Sequence, residues 1–249
     1  MKLLITGLGG TLAPRLAEAA TAAGMSVHGW DRSRISTEDG SAARAWLAAE
    51  RFDAIAHLAM GSAEWSALLS AHAAERALPF VFTSTVMVFE APGPHAPDAE
   101  RTGSSDYGRY KAACEDAVLA ANRRASLVRI GWQIDAERPG NNMLKTLDDW
   151  QAKQGSVQAS RAWIPACSFM QDTVQALLPL LRVQTPGTFH LDSNAVEAHS
   201  FDRVAAALKK HFAREHWQLR VHEDYQHDQR LIGGPLSLPP LSARLPFAS

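Results

Sequence analysis

The chain has 249 residues and a formal net charge of -1, with 46% hydrophobic and 20% charged residues. That length suits one large domain or one domain with a small appendage, and the composition is ordinary for a globular enzyme-sized protein. The balanced charge argues against a nucleic-acid partner, two cysteines (Cys114 and Cys167) make no disulfide framework, and no apolar run approaches the roughly 18 residues of a membrane span.

Residues 2–6 are a short apolar run, the pattern of a buried parallel strand. They run into glycines too soon for a signal peptide, so a cytoplasmic, reduced setting is expected. The turn Thr6-Gly7-Leu8-Gly9-Gly10-Thr11-Leu12-Ala13 follows, then a helical pattern to Ala23 that Gly24 ends. Met25 to Trp30 reads as a second strand, finishing at Asp31. Strand, glycine turn, helix, strand and acid form the context in which a glycine motif points to a dinucleotide. Gly7 permits the tight turn, Gly10 lets the backbone approach a pyrophosphate, and Ala13 allows close helix–strand packing. The helix start offers free N–H groups and a positive dipole end. Asp31 is placed to accept from a ribose and to repel a 2′-phosphate, which leans towards NAD. Arg32 and Arg34 could pair with that phosphate in NADP.

Residues 33–40 look like a loop, and Ser41 to Glu50 a short helix. Phe52 to Ala59 reads as the next strand, with Asp53 at its head. Its end, with Leu58, Ala59 and Met60, falls at the sheet edge that carries ligands in open parallel sheets. His57, inside that apolar strand, reads as a buried, hydrogen-bonded histidine. After a helix from Ala63 to Ala77, Phe80 to Thr85 is a strand ending in three hydroxyls, Thr83, Ser84 and Thr85. Such a cluster suits a carbonyl or hydroxyl ligand, although threonine is also simply a good strand former.

The Pro-rich stretch 90–106 is an irregular connection. It leads into Tyr107-Gly-Arg-Tyr-Lys111, at the start of a helix that Ser104, Ser105 or Asp106 would cap. Residues four apart share a helix face, so Tyr107 and Lys111 stand one above the other. A phenol holds its proton to about pH 10, and a nearby ammonium lowers that value. The pair can therefore act as a proton donor and acceptor, with Tyr107 rather than Tyr110 as the acid. A further strand runs from Ala125 to Gly131.

Alternating strands and helices predict an α/β, Rossmann-type doubly wound parallel sheet. Beyond it come helices over 141–154, 170–182 and 201–212, strands at 187–191 and 217–221, extended chain over 157–165, and a Pro-rich tail from Leu231. This predicts a dinucleotide-binding domain over residues 1–139 and a smaller substrate-binding C-terminal lobe over 140–249, the chain returning to the sheet near 187–191.

The glycine turn, the hydroxyl cluster ending at Thr85, and Tyr107 with Lys111 occur in an order and spacing that resembles the extended short-chain dehydrogenase/reductase family. Within it, Ser84-Thr-Val-Met-Val-Phe89, Tyr107-Gly-Arg-Tyr-Lys-Ala-Ala-Cys-Glu115, Arg129-Ile-Gly-Trp132, Gly140-Asn-Asn142 and Gly187-Thr-Phe-His-Leu191 look most like dTDP-4-dehydrorhamnose reductases and their epimerase/dehydratase-like sugar-nucleotide relatives. The resemblance implies hydride transfer to or from a carbonyl or hydroxyl substrate, which could be a deoxysugar nucleotide. Tyr107 would be the acid or base, Lys111 would hold the nicotinamide ribose and depress the Tyr107 pKa, and Thr85 would orient the reacting oxygen. NAD or NADP would contact Gly7, Leu8, Gly9, Gly10, Thr11, Leu12, Asp31, Arg32, Leu58, Ala59, Met60, Tyr107, Lys111 and Ile130. Met87, Asn141, Asn142 and Trp163 would face the substrate. Many family members dimerise through helices flanking the sheet, so a homodimer is an open expectation.

There are departures. Arg15 stands where these reductases often carry a carboxylate linked to magnesium, so no metal is expected. Arg161-Ala-Trp163-Ile-Pro165 replaces a more polar motif, and the tail lacks the Arg-Pro pair expected near a sugar nucleotide. A non-catalytic cofactor-binding subunit is the alternative from another class, and the intact Thr85, Tyr107 and Lys111 count against it. An NAD-dependent epimerase is a third possibility. Dehydration ranks low, because Val86 and Met87 supply no acid beside the hydroxyl motif.

Overall fold

Short apolar strands separated by helices leave each strand buried on both faces, and here that arrangement produces a central parallel sheet. The computed structural model describes residues 1–138 and 140–247. In chain order, β1 (Lys2–Thr6), α1 (Leu12–Ala22), β2 (Ser26–Gly29), α2 (Gly40–Glu50), β3 (Ala54–His57), α3 (Ala63–Glu75), β4 (Phe80–Thr85), α4 (Asp106–Ala121) and β5 (Ser126–Ile130) alternate. They are followed by β6 (Trp132–Ile134), α5 (Met143–Gln154), β7 (Val157–Ser160), β8 (Trp163–Ile164) and β9 (Cys167–Phe169). Then come α6 (Met170–Arg182), β10 (Gly187–Leu191), α7 (Phe201–His211), β11 (Leu219–His222) and β12 (His227–Asp228).

The main sheet has the order β10-β5-β4-β3-β1-β2, with every neighbouring pair parallel. Strand alternation decides which face each residue buries. Leu3 and Ile5 of β1 pack against α1 and α6 on one face, while Leu4 between them packs with residues of α2, α3 and α4 on the other. A separate cluster collects β6, α5, β7, β9 and α7 around the fully buried Trp217. In sequence the predicted domain boundary abuts Pro139, which lies outside the described residues, and β10 joins the edge of the main sheet beside β5.

Several elements are shorter than the sequence patterns suggest, each for a visible reason. The strand predicted over Phe52–Ala59 ends at His57 because the Leu58 and Ala59 N–H groups donate to the Thr6 side chain, both at 3.1 Å, instead of a strand partner. The helix predicted from Asn141 starts at Met143, because Asn142 is its cap. The strand expected from Trp217 starts at Leu219. Trp217 instead closes a turn onto the Arg214 carbonyl and sends its indole N–H to Asp148 at 2.8 Å.

One buried ion pair fixes α4 to the sheet. Arg129 of β5 makes two hydrogen bonds to Glu115 of α4, at 3.0 and 2.8 Å, and both side chains are almost fully buried. Arg129 also donates to the Pro97 carbonyl at 3.0 Å, and Arg101 reaches the same carboxylate at 3.2 Å, so the 90–106 connection is tied into this network. Removing one partner of a buried pair strands the other charge, at roughly 3–5 kcal/mol. Glu115→Gln is therefore expected to lose about 3 kcal/mol or more of unfolding free energy, read as a lowered urea midpoint.

Candidate active site

The first turn of α4 lies directly against the end of β4. Gly108 makes this possible, since a Cβ there would run into the Met87 carbonyl oxygen. Ser105 caps the helix by accepting the Gly108 N–H at 3.0 Å. Tyr107 and Lys111 are thereby brought to the C-terminal edge of the sheet, where the β4 hydroxyls end. A cavity of about 630 Å³ opens there. It is lined by Gly7, Gly10, Thr11, Leu12, Leu58, Met60, Thr85, Met87, Tyr107, Lys111, Ile130, Asn141 and Trp163, all of them expected site residues.

Lys111 is almost fully buried. Its Nζ donates to the Thr83 carbonyl at 2.7 Å and sits 4.3 Å from the centre of the Phe82 ring. Among the described residues no carboxylate touches it, and burial brings its pKa from 10.5 down to about 8. Tyr107 corrects an expectation. Its phenol is held above its ordinary value, not below it, because it is partly desolvated, with the Cys114 thiol adding to the shift. The ammonium is committed to a carbonyl on β4. Tyr110 is excluded as the acid by geometry: its hydroxyl donates to the Gly61 carbonyl at 2.6 Å and accepts the Gly61 N–H at 2.9 Å. Burial also pushes it up to about 12. Thr85 Oγ1 accepts the Met87 N–H at 3.2 Å, which leaves its proton to donate elsewhere.

On the sheet's other half, Gly7 has φ +89, and a Cβ there would sit 3.0 Å from the Ala59 backbone. Its turn is closed by the Gly10 N–H on the Gly7 carbonyl at 2.8 Å. The N-terminus of α1 has no side-chain cap, because Thr11 Oγ1 instead accepts the Asn141 N–H at 3.0 Å. Thr6 couples this turn to β3: with Oγ1 accepting two N–H groups, its proton goes to His57 Nδ1 at 2.8 Å. His57 Nε2–H then donates to Ser66 Oγ at 2.9 Å. With both nitrogens satisfied and burial pulling its pKa to about 3, His57 is a neutral core residue.

The remaining expected site residues lie off the cavity wall. Leu8 packs over Gly29, and Gly9 is exposed. Asp31 accepts from Ser33 Oγ and N–H at 2.6 and 2.9 Å, bonds that hold its pKa low. Arg32 donates to the Met60 carbonyl and stacks on Trp65. Ala59 is buried behind the glycine turn. Asn142 has a different task from substrate contact. It is buried, its Oδ1 accepts the Lys145 N–H at 3.0 Å and its Nδ2 donates to the Arg138 carbonyl at 3.3 Å. Arg15 lies bidentate on Asp135 at 3.0 and 2.6 Å and also reaches Glu137. Among the described residues, no group of three or more His, Cys, Asp or Glu converges as metal ligands.

Ser84 of the expected hydroxyl cluster also lines the cavity, as do residues not singled out as site residues from the sequence: Trp132, Gln133, Met170 and Gln229. Ser84 Oγ and Gln133 Oε1 are buried without a hydrogen-bond partner among the described residues. Trp132 ends the Arg129-Ile-Gly-Trp132 segment and Gln133 follows it, so both could have been found from it. Gln229 sits in a polar stretch that gives no signal.

A family model described as the RmlD substrate binding domain matches residues 62–226. A dTDP-4-dehydrorhamnose reductase of Mycolicibacterium smegmatis is 28% identical over 228 residues, covering 84% of this chain and 68% of that protein. A Streptomyces antibioticus protein described as a probable dTDP-4,6-dihydroxy-2-methyloxan-3-one 4-ketoreductase is 31% identical over 176 residues, covering 63% of this chain and 59% of the relative. Among solved structures, the Bacillus anthracis dTDP-4-dehydrorhamnose reductase in complex with NADP superposes with a TM-score of 0.82 at 17% identity, covering 97% of this chain and 96% of that one. The Bordetella bronchiseptica enzyme WbmH in complex with NAD+ gives a TM-score of 0.78 at 16% identity, with coverages of 98% and 95%.

The Lys111 ammonium has a measurable consequence. Its folded pKa lies below its unfolded value, so the unfolded chain binds this proton more tightly and stability rises as pH climbs from about 8 to 10.5. At neutral pH the burial costs about 3 kcal/mol, at roughly 1.4 kcal/mol per pH unit of difference. Lys111→Met gives up the Thr83 hydrogen bond, worth about 1 kcal/mol. Denaturant titrations should therefore show the variant more stable than wild type by about 1–2 kcal/mol at pH 7, with the gap closing towards pH 10.

Proposed function

Because the chain belongs to the RmlD substrate-binding-domain family, we propose that it is an NAD(P)-dependent oxidoreductase. It would interconvert a carbonyl and a hydroxyl on a small molecule, with deoxysugar nucleotides, the substrates in its relatives' names, as the first class to test. The observation that carries the reading is the convergence of Thr85, Tyr107 and Lys111 on one cavity with the glycine turn. The intact trio argues against a non-catalytic subunit.

The residues fit a dinucleotide. The left-handed turn at Gly7 leaves no room for a side chain, and the α1 N-terminus keeps N–H groups free for phosphate. Gly7, Gly10, Thr11 and Leu12 would hold the pyrophosphate end, and Leu58, Met60, Lys111 and Ile130 the nicotinamide end. A bound nicotinamide supplies the hydride chemistry. The protein's own work is proton transfer and orientation. With its backbone-anchored hydroxyl, Thr85 donates to the reacting oxygen. Tyr107, whose raised pKa keeps it protonated at neutral pH, gives that oxygen its proton in reduction. Lys111, bonded to β4, presents a fixed positive charge to the same cavity. No helix among the described residues is long and apolar enough to cross a membrane, and the two free cysteines are buried, which suits a reduced compartment.

Tyr107→Phe keeps the ring and removes the proton. With NADPH or NADH and a panel of ketones and 4-keto sugar nucleotides, its turnover should fall about 10²–10⁴-fold while dinucleotide affinity, read by fluorescence titration, stays the same. Equal activity in the two proteins would overturn the acid assignment, and failure to bind either dinucleotide would overturn the reading as a whole.

A further inference from the structure

The residues that follow β3, 58–61, lie outside any strand, yet two of them, Leu58 and Met60, line the cavity. Side chains from three other parts of the chain hold them. Thr6 of β1 accepts the Leu58 and Ala59 N–H groups. Arg32, just beyond β2, donates to the Met60 carbonyl while its guanidinium lies 5.2 Å from the centre of the Trp65 ring. Tyr110 of α4 supplies the last tie. Its hydroxyl donates to the Gly61 carbonyl at 2.6 Å and accepts the Gly61 N–H at 2.9 Å. A phenol can do both at once, and neither Gly61 group has another partner among the described residues. A Cβ at Gly61 would run into the Trp65 ring, so the turn sits tightly on a buried indole. Tyr110 and Tyr107 have ring centres 6.3 Å apart, but only Tyr107 lines the cavity.

This turn has no hydrogen-bonded ladder to fix it, so its place relative to Tyr107 and Lys111 depends on the side chain that reaches it from their helix. From this geometry we infer that Tyr110 is a positioning residue for the dinucleotide: by holding both backbone groups of Gly61 it keeps the Met60 wall set before the ligand arrives. It touches neither the cavity nor the reacting atoms, and it acts through Met60. A wall set in advance spares the ligand the cost of ordering it. Such a contribution is made equally before and during the reaction, so it belongs to binding and not to turnover. That the ligand is a dinucleotide rests on the oxidoreductase reading; the tie between Tyr110 and Gly61 does not.

The experiment compares the full chain as wild type, Tyr110→Phe and Tyr107→Phe. Tyr110→Phe removes only the hydroxyl and keeps the packed ring. In the ligand-free chain, amide hydrogen exchange followed by NMR should show Gly61 exchanging about tenfold faster in this variant, with Gly108 at the start of α4 unchanged. Fluorescence titration should show NADH and NADPH each binding about tenfold more weakly. At saturating dinucleotide, kcat with the 4-keto sugar nucleotide that wild type reduces fastest should stay within about twofold. Tyr107→Phe gives the opposite pattern, with kcat lost and dinucleotide affinity kept. Should Tyr110→Phe not fold, 4-aminophenylalanine at position 110 takes its place, since it retains the ring and a donor to the Gly61 carbonyl, and its affinity should fall between wild type and the tenfold loss. Unchanged dinucleotide affinity beside a lowered melting temperature makes Tyr110 a structural tie alone and overturns the inference. So does a fall in kcat like that of Tyr107→Phe. Wild type binding neither dinucleotide overturns the oxidoreductase reading, and this inference with it, whatever the Gly61 exchange shows.

Discussion

A single buried ammonium organises this site. Among the described residues no carboxylate bonds Lys111, whose ammonium donates to the Thr83 carbonyl and lies over the Phe82 and Tyr110 rings. Such a charge is tolerated because the backbone of β4 presents a dipole to it and because α4 is clamped in place one turn further on, through Glu115 and Arg129. The clamp stabilises and the ammonium destabilises, and both act on the same helix. This is the pattern of a functional group held in an unfavourable environment by the structure around it.

The contact between α4 and β4 then determines the geometry of the other groups. With no Cβ at Gly108, the helix start reaches the Met87 backbone, and Tyr107 comes to the cavity that Thr85 lines. Tyr110, one turn before Cys114, is turned to Gly61 and locks α4 to the end of β3. The two tyrosines have separate tasks, one tying elements together and one left at the cavity with no hydrogen bond among the described residues. Thr6 performs a similar service on the opposite side. Its hydroxyl ends β3, links it to the glycine turn and orients His57, which burial keeps neutral, so this side of the sheet edge carries a polar relay from Thr6 through His57 to Ser66.

The cavity also has two different walls. Towards the sheet it offers hydroxyls, a phenol and an ammonium, groups that hold and move protons. Towards the small lobe it offers two stacked tryptophans and two glutamines. The first wall matches what the family's motifs imply. The second is built by β6, which opens on the end of the matching Arg129-Ile-Gly-Trp132 segment, by β8, where the sequence departs from the rhamnose-reductase pattern, and by the segment after β12.

The sequence by itself determined the parallel sheet, the glycine turn and the Tyr107–Lys111 spacing. These rest on local patterns: apolar runs of strand length, a glycine needed for positive φ, and the 3.6-residue repeat of a helix. It also singled out Tyr107 over Tyr110, because one helical turn is a local quantity. Only the tertiary structure decided the direction of the Tyr107 pKa, since that depends on how far the packing around the start of α4 desolvates the phenol. It likewise made Asn142 a helix cap and brought Gln229 to Trp163 across 66 residues of chain. Pairings at that separation follow from how the lobe packs around Trp217 and Phe201, and no periodicity along the chain records them.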